Sequence, residues 1–248
     1  MTNYKFYQID AFTNTAFEGN PAGVILIDKN WPSDDILQKI AREINLSETA
    51  FVQILDVHKY KIRFFTPTCE VPLCGHATLS AAFVLFNELN LKTNQLIFNT
   101  MDLQLHVDYN PKNKLVKLKF PLYSLKQLPN NTEISQILDL PITELYACDN
   151  NWKMAICESE IDLQNLQVNA NTLTSNGYGQ LILSAKSDSQ NDFIYRCFVP
   201  DLGILEDPVT GSAHCALAPF LSSILNEKHL FSQQLSGRTN TITAQVNA

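Results

Sequence analysis

Two segments of the chain carry the same pattern, and this internal repeat limits the folds that the sequence can adopt. Residues 63–67 (RFFTP) are followed by residues 75–78 (GHAT) and an apolar stretch typical of a helix. Residues 196–200 (RCFVP) are followed in the same way by residues 211–214 (GSAH), with three more residues between proline and glycine. A repeat at this long spacing predicts two similar half-molecules and not a solenoid of short units. Ligands favour the interface of such halves, so we expect a binding cleft there.

Each glycine of the repeat, Gly75 and Gly211, stands where a helix is predicted to begin. The first N–H groups of a helix have no partner within it and carry partial positive charge, so a helix start can bind an anion. Two such starts at one cleft would hold a carboxylate substrate and an enolate-like intermediate. The alternative is that both glycines only turn the chain and both helices are core, because strand–turn–helix units are common. The pattern alone leaves both interpretations open.

The rest of the chain interleaves strands with a few helices, which predicts an α+β or mixed α/β fold. Strands are predicted at residues 4–10, 24–27, 50–52, 60–65, 103–109, 114–120, 152–157, 180–185 and 193–199, with helices after Ser33, from Gly75, and over 133–139. The polar, proline-marked stretch 121–131 is the best candidate for a domain boundary. Glu48 falls at the junction between the first helix and the next strand, where side chains are often presented to a cleft.

Composition excludes several classes of function. The 248 residues carry a net charge of −7, and the basic residues are scattered, whereas nucleic-acid binding needs a concentrated basic patch. No run approaches the roughly 20 apolar residues of a membrane helix. The N-terminus, from Met1, lacks the charged and apolar regions of a signal peptide. We therefore expect a cytoplasmic protein without a membrane or nucleic-acid partner.

The cysteines and glycines suggest neither disulfides nor a cofactor. In a chain of this length without a secretory signal, reduced thiols are expected. Cys69, Cys74 and His76 are close in sequence, but no CxxC or HxxxH pair and no fourth ligand supports a metal site. The phosphate-binding pattern G-x-G-x-x-G is absent from the sequence. We expect no metal and no organic cofactor.

Four segments of the chain resemble the phenazine-biosynthesis (PhzF-like) family. They are residues 10–24, 45–51, 65–78 and 206–214, in the order expected for the family, and together they extend the resemblance over nearly the whole chain. The resemblance implies the diaminopimelate-epimerase-like fold, an α+β architecture of two similar domains. Each domain wraps a curved sheet around a central helix, and the active site lies in the cleft between them.

The domain bounds follow from the resemblance together with the boundary stretch. They are 1–121 for the N-terminal domain and 122–248 for the C-terminal domain, with the last strands able to pack back on the first domain. Family members usually continue with another strand or hairpin after the segment that resembles residues 234–242, whereas this chain ends at Ala248. The final sheet is expected to lack an element, and a homodimer contact built there is in question.

The resemblance also implies a function, a cofactor-independent isomerase that moves a proton on a small carboxylate-bearing metabolite. In the family's best-known member a dihydro-hydroxyanthranilate is isomerised in this way. The implied catalytic residues are Glu48, His76 and Asp207, and the implied substrate-binding residues are Gly75, Gly211 and Ser212. A partly buried carboxyl group can both accept and return a proton, and helix-start N–H groups can stabilise developing negative charge.

Each of these residues has a structural alternative. In these alternatives Glu48 caps a local turn, His76 is a hydrogen-bond donor at the start of a helix, and Asp207 is a turn residue before proline. Ser212 would be an ordinary residue of a helix start. His214 lies deeper in its predicted helix, where a structural role is expected. Glu70 and Glu206 are interpreted as surface or turn residues outside the catalytic set.

Two other functions stay open as alternatives. Amino-acid epimerases of this fold use two opposed cysteines, and Cys74 lies near one expected thiol position. The second signature offers Asp207 and no thiol at the matching place, and Cys215 is expected to point into a core helix, so a two-thiol racemase is disfavoured. A non-catalytic small-molecule-binding relative is the second alternative. A nucleophilic hydrolase is weaker still, because residues 210–214 lack the GxSxG pattern.

Overall fold

The computed structural model describes residues 3–28, 30–89, 91–187, 191–238, 240 and 242–246. The chain forms two compact units: Met1–Ala11 with Asn20–Phe120, and Phe12–Gly19 with Pro121–Ala248. Each unit contains one eight-stranded sheet and a few helices, so the fold is α+β with two similar parts. Met1, Thr2 and Ala248, from which expectations about the chain ends were drawn, lie outside the described residues.

The first unit contains two helices, α1 (Asp34–Ile44) and α2 (Gly75–Glu88). Its strands are β1 (Lys5–Ala11), β2 (Asn20–Ile27), β3 (Glu48–Ile54), β4 (Lys59–Phe65), β5 (Glu70–Val71), β6 (Gln95–Asn99), β7 (Gln104–Asn110) and β8 (Leu115–Lys119). They are ordered β1-β2-β3-β4-β6-β7-β8, and β5 pairs with β4. The pairs β2–β3 and β4–β6 are parallel and the other pairs are antiparallel.

The second unit contains four α-helices: α3 (Thr132–Leu138), α4 (Glu160–Asn165), α5 (Ala170–Ser175) and α6 (His214–Leu225). Its strands are β9 (Leu125–Gln127), β10 (Ile142–Cys148), β11 (Lys153–Cys157), β12 (Leu181–Lys186), β13 (Phe193–Val199), β14 (Ile204–Glu206), β15 (His229–Gln234) and β16 (Ile242–Gln245). They are ordered β16-β15-β13-β12-β11-β10-β9, and β14 pairs with β13. Here β11–β12 and β13–β15 are the parallel pairs.

Seven of the eight described strands of each sheet therefore repeat one topology, whereas β8 and β9 lie at edges that do not correspond. Strands β1 to β4 of the first unit correspond to β10 to β13 of the second, with the parallel pair at the same place. The short strands β5 and β14 each return on the strand before them, and β6 and β15 then pair parallel with that same strand. The internal repeat seen in the sequence is thus one part of a duplication that covers most of each unit.

Each sheet curls around a long apolar helix. In the first unit α2 contacts β1, β2 and β3 at one side of the sheet and β8 at its opposite edge. Ten of its fourteen residues are buried. In the second unit α6 contacts β15 and β16, while the ring of its Phe220 lies 5.2 Å from that of Tyr146 in β10. A helix that is apolar all round needs apolar contact on all sides, and the curled sheet supplies it.

Shorter helices pack on other parts of the sheets. Helix α1 contributes Leu37 and Ala41 to a buried cluster with Ile25, Phe51 and Phe65. In the second unit Ile134, Leu163 and Leu173, from α3, α4 and α5, join residues of β10 to β13 in the same way. Burial of these apolar faces on the sheets, more than intrinsic propensity, stabilises helices this short.

An arginine–glutamate pair fastens the short return strand in each unit. Arg63 in β4 donates two hydrogen bonds to the Glu70 carboxylate in β5, at 2.7 and 2.6 Å, and its guanidinium carbon lies 5.1 Å from the centre of the Phe65 ring. Arg196 in β13 bonds Glu206 in β14 in the same way, at 2.8 and 2.7 Å. Such two-bond pairs are the strong form of ion pair. The interpretation of Glu70 and Glu206 as surface or turn residues is therefore corrected.

The same arginines also bind the helices that pack on each sheet. Arg63 donates to Asp34 at the start of α1 at 2.8 Å. Arg196 donates to the backbone carbonyls of Leu163 and Leu166, at 3.1 and 2.7 Å. Each glutamate precedes the repeat glycine by five residues, so the two pairs occupy equivalent places in the repeat.

The N-terminal segment Phe12–Gly19 groups with the second unit, whereas the predicted bounds place it in the first domain. Arg238 donates hydrogen bonds to the carbonyls of Gly19 and Glu18, at 2.6 and 2.9 Å. Phe12 lies against Gly211, where an added Cβ would come within 2.9 Å of the ring. The last strands extend the sheet of the second unit, since β15 pairs with β13 and β16 pairs with β15.

Most predicted elements are confirmed to within a few residues, but not all. The helix predicted from Gly211 begins at His214, because Gly211–Ala213 form a separate 3-10 turn in which the Ala213 N–H bonds the Thr210 carbonyl. Helices α4 and α5 and strands β5, β6, β9, β10, β14, β15 and β16 were not predicted. Within the described residues, no helix combines the length and the hydropathy needed to cross a membrane.

The two arginine–glutamate pairs predict a matched loss of stability. Glu70→Gln and Glu206→Gln keep the side-chain shape but leave a largely buried guanidinium facing a neutral amide. Each should lower the free energy of unfolding by about 2 kcal/mol, measured by urea denaturation. Lys39→Gln breaks an exposed pair with Asp35 and should cost less than about 0.5 kcal/mol. Equal losses in all three variants would contradict a structural role for the two pairs.

Candidate active site

Glu48 is the first residue of β3, in register with Ala22 of the parallel strand β2. The next four residues of β3 are fully buried, so the start of the strand is held firmly between β2 and β4. The Glu48 side chain itself is 14% exposed. The strand therefore presents a carboxylate at the margin of the core, where it is largely shielded from water but still reachable.

His76, the second residue of α2, lies against this carboxylate. Its Nε2 is 3.2 Å from Glu48 Oε2, and its side chain is 4% exposed. Burial lowers the pKa of His76 to about 3, because the charged imidazolium loses its hydration there. At neutral pH the ring is uncharged, so Glu48 faces a neutral imidazole and not a cation.

The other ring nitrogen of His76 has two neighbours that can donate. Asn20 Nδ2 and Cys74 Sγ each lie 3.4 Å from His76 Nδ1. An amide N–H₂ group only donates, and a thiol is a weak donor, so Nδ1 is best satisfied as an acceptor. In a neutral ring the proton then sits on Nε2, on the side of Glu48. Nε2 makes no aligned hydrogen bond with the described residues, so its N–H is not committed to the fold.

The start of α2 adds backbone donors near the same place. Cys74 occupies the N-cap position without a side-chain cap hydrogen bond, and Gly75 is the first helical residue. The N–H groups of a first turn have no partner within the helix and stabilise negative charge. The first turn of α2 contains no acidic residue that would compete for them.

In the second unit Asp207 is part of a tightly bonded turn. The Thr210 hydroxyl donates to the Asp207 carboxylate, and the Asp207 N–H bonds the Cys197 carbonyl at 3.1 Å. The Gln234 amide spans the turn, since it donates to the Asp207 carbonyl and accepts from the Thr210 N–H at 2.6 Å. Asn240 in turn accepts from the Gln234 N–H at 3.0 Å. Asp207 is therefore fixed in a buried network.

The remaining residues of the second signature have different roles. Gly211 lies close to the Phe12 ring, which an added Cβ would approach to within 2.9 Å, and Ser212 lies in the same 3-10 turn. His214 Nε2 lies 2.7 Å from the Ser232 hydroxyl, and burial lowers the pKa of His214 to about 4. His214 packs in the core between Phe193 and Tyr195, which fits the structural role expected for it.

The structure brings Glu48, Gly75 and His76 together in the first unit, and it places Asp207, Gly211 and Ser212 around one turn of the second. Their convergence on a common cleft stays a prediction. Asn20 and Gln234 were missed by sequence reasoning. Asn20 lies inside the segment 10–24 that carried the family resemblance, which was the available signal. Gln234 is 27 residues from Asp207 along the chain and carried no signal.

One cluster among the described residues has donors of the kind and spacing that hold a metal ion. The ligand atoms of Glu48, Cys74 and His76 lie within 4.8 Å of one another. Cys69, which was weighed with Cys74 and His76 from the sequence, is not part of it. The expectation that the protein uses no metal for its reaction stays a prediction.

The neutral state of His76 predicts how stability changes with pH. Histidine in the unfolded chain titrates near a pKa of about 6.5, whereas the pKa of buried His76 is about 3. Between these values only the unfolded chain binds the proton, so stability is lost as the pH falls. Urea denaturation at pH 7 and pH 5 should show a loss of up to about 2 kcal/mol from this group. The His76→Gln variant should lack this loss of stability between pH 7 and pH 5, whereas His106→Gln, which changes an exposed strand residue, should retain it.

The proton position on His76 gives a second prediction. Nitrogen-15 NMR of the wild type should show a neutral ring with the proton on Nε2. Asn20→Asp places a carboxylate, which only accepts, beside Nδ1 and should move the proton to Nδ1. Asn20→Ala removes the hydrogen-bond donor without putting an acceptor in its place, and it serves as the control. A wild-type ring protonated on Nδ1 would contradict this hydrogen-bond assignment.

Comparisons with known proteins agree with this architecture. A family model described as phenazine biosynthesis-like protein matches residues 9–248. A protein of Halalkalibacterium halodurans named an uncharacterized isomerase is 40% identical over 96% of this chain and 89% of its own length. A Pseudomonas aeruginosa protein, also named an uncharacterized isomerase, is 38% identical over 94% of this chain and 87% of its own.

A solved structure supports the same relationship. The crystal structure of a PhzF-family phenazine biosynthesis protein from Enterococcus faecalis superposes with a TM-score of 0.89 and 35% sequence identity. The match covers 98% of this chain and 92% of that one. With two duplicated sheets, a central helix in each and a family match over nearly its whole length, this chain belongs to the phenazine biosynthesis-like (PhzF) family.

Proposed function

We propose that this protein is a cofactor-independent isomerase that moves a proton on a small carboxylate-bearing metabolite, with Glu48 as the general base and acid. Relatives at 38% and 40% identity are named isomerases, which supports the reaction class. The observation that carries the proposal is the pairing of a partly exposed carboxylate, Glu48, with a buried neutral imidazole, His76, at 3.2 Å.

The neutral state of His76 matters for the strength of the base. A cation beside Glu48 would stabilise its ionised form and make it reluctant to take a proton. A neutral N–H group at this distance has a much smaller effect on the basicity of the carboxylate. An effective general base also needs to be within reach of the substrate proton, and the 14% exposure of Glu48 provides that access.

In the proposed reaction Glu48 removes a proton from a carbon that lies between a carbon–carbon double bond and a carbonyl or carboxyl group, which leaves a conjugated, enolate-like intermediate. The first-turn N–H groups of α2 and the Nε2–H of His76 are donors for the negative charge that develops. Glu48 then returns the proton to a different carbon, so that a double bond moves and the atoms balance without any redox partner.

We assign Asp207, Gly211 and Ser212 to the same reaction, with Asp207 as a second catalytic group and the other two as substrate-binding residues. The support is local: the Gln234 and Thr210 contacts hold Asp207 in one orientation, and a fixed carboxylate is suited to positioning a substrate. Gly211 begins the 3-10 turn that precedes α6 and lies close to the Phe12 ring.

A single isotope experiment tests the role of Glu48 before any substrate is identified. A metabolite extract in heavy water is incubated with wild-type protein or with Glu48→Gln, and mass spectrometry compares the products. Wild type should create an isomer that carries one deuterium, unless the proton is retained within the site. Loss of the carboxylate should slow the reaction about 10²–10⁴-fold, because general acid–base groups contribute that much.

The control is Glu43→Gln, which changes an exposed glutamate of α1 and should react like the wild type. Once a substrate is known, its affinity for Glu48→Gln should change little, since an amide fills the same space. Turnover of Glu48→Gln at the wild-type rate would show that Glu48 is structural. Binding without turnover by the wild type would favour a non-catalytic binding protein.

A further inference from the structure

The donors around His76 form a set that a particular kind of metal ion prefers. Glu48 offers a carboxylate oxygen, Cys74 a sulfur and His76 a ring nitrogen. Zn²⁺ takes these three ligand types, whereas Mg²⁺ and Ca²⁺ prefer oxygen ligands alone. All three residues are buried or nearly so, which excludes the water that would otherwise compete for the ion.

One pair of the donors already has the spacing of a tetrahedral zinc site. With bonds of about 2.3 Å to sulfur and about 2.0 Å to nitrogen or oxygen, neighbouring ligands stand roughly 3.3–3.6 Å apart. Cys74 Sγ is 3.4 Å from His76 Nδ1, and His76 Nε2 is 3.2 Å from Glu48 Oε2. The His76 ring binds an ion through only one of its two nitrogens, so only one of these two distances can be an edge of the site. That edge already has the length that a tetrahedral zinc site requires. The two contacts reach opposite nitrogens of the ring, so the third ligand has to move toward the nitrogen that binds the ion; its ligand atom lies within 4.8 Å of the other two.

The charges also favour a divalent cation. A Glu48 carboxylate and a Cys74 thiolate together carry a charge of −2, and the neutral His76 ring adds none. Two anions this close repel each other strongly in a buried site, but a dication cancels their charge. When the ion binds, the thiol loses its proton to solvent and a sulfur–metal bond replaces the S–H bond, without any change of oxidation state.

We infer that Glu48, Cys74 and His76 form a three-ligand site for Zn²⁺ that inhibits the protein. Three protein ligands leave a fourth position open, as in zinc sites that keep a water molecule. An ion held there occupies the carboxylate that the proposed reaction needs as its base. The inference extends the proposed function by a mode of control, but the binding of zinc does not depend on catalysis.

The test is a titration of the metal-free wild-type chain with Zn²⁺ by calorimetry, and with Co²⁺ by absorbance. We expect one equivalent to bind, and a sulfur-to-cobalt charge-transfer band to form in the near ultraviolet. Cys74→Ser should abolish that band and weaken zinc binding at least about tenfold. Cys69→Ser changes a cysteine of the same hairpin outside the cluster and should bind like the wild type.

Glu48→Gln provides a second variant if Cys74→Ser fails to fold by circular dichroism. It retains the thiol, so the cobalt band should persist while zinc binds more weakly. Absence of a saturable single site in the wild type, or equal zinc affinity in Cys74→Ser, would overturn the inference. A loss in Cys69→Ser as large as that in Cys74→Ser would show that the ligand set is wrong.

Activity gives an independent readout because the titration uses no substrate. On a substrate found by the isotope experiment, one equivalent of Zn²⁺ should suppress turnover and a chelator should restore it. Zinc binding without any effect on turnover would leave the site intact but refute its inhibitory role. An absolute requirement for Zn²⁺ would refute both this inference and the proposed cofactor-independent reaction.

Discussion

The burial of helix α2 is the constraint on which the first unit depends. Its residues from Gly75 to Ser80 are almost all buried, and Ala81, Ala82, Val84 and Leu85 continue the apolar surface around the helix. Such a helix is stable only when it is enclosed, and the sheet encloses it by bringing β1 and β8 to its two sides. The polar residues at its start are buried with it. The low pKa of His76 therefore follows directly from the burial of the start of the helix.

The duplication shows which part of this arrangement is architectural and which is chemical. The pairs Arg63–Glu70 and Arg196–Glu206 have the same hydrogen bonds and the same five-residue spacing to the glycine. These shared features fasten the short return strand in both units. The residues around them differ: the first copy has a cysteine and a histidine on either side of its glycine, and the second has a threonine and a serine. The two units therefore share one backbone arrangement but carry different polar side chains next to the glycine.

The sequence predicted elements whose signals are local and missed contacts whose partners are distant. Helix α1 follows Ser33 and ends at Asn45 in a left-handed conformation, a stop that is readable from neighbouring residues. The grouping of Phe12–Gly19 with the second unit depends on Arg238, about 220 residues away in the chain. Asn20 lies inside a segment of the family resemblance, and only the fold shows it buried beside His76. Glu48 and His76 were found through the family resemblance, whereas their 3.2 Å contact required the structure.

The position of Cys74 helps to choose between the isomerase and a two-thiol racemase. A thiol acts as a base only as its thiolate, which forms most readily near positive charge. Cys74 instead lies within 4.8 Å of the Glu48 carboxylate and beside a neutral imidazole, so its negative form would meet repulsion and no cation from His76. When the glycines are aligned, the matching position in the second unit is Thr210, whose hydroxyl is donated to Asp207. The negative charge of Glu48 that disfavours a free thiolate at Cys74 favours a thiolate that is bound to a dication. Proton transfer by Glu48 and inhibition by zinc are therefore compatible in one cluster.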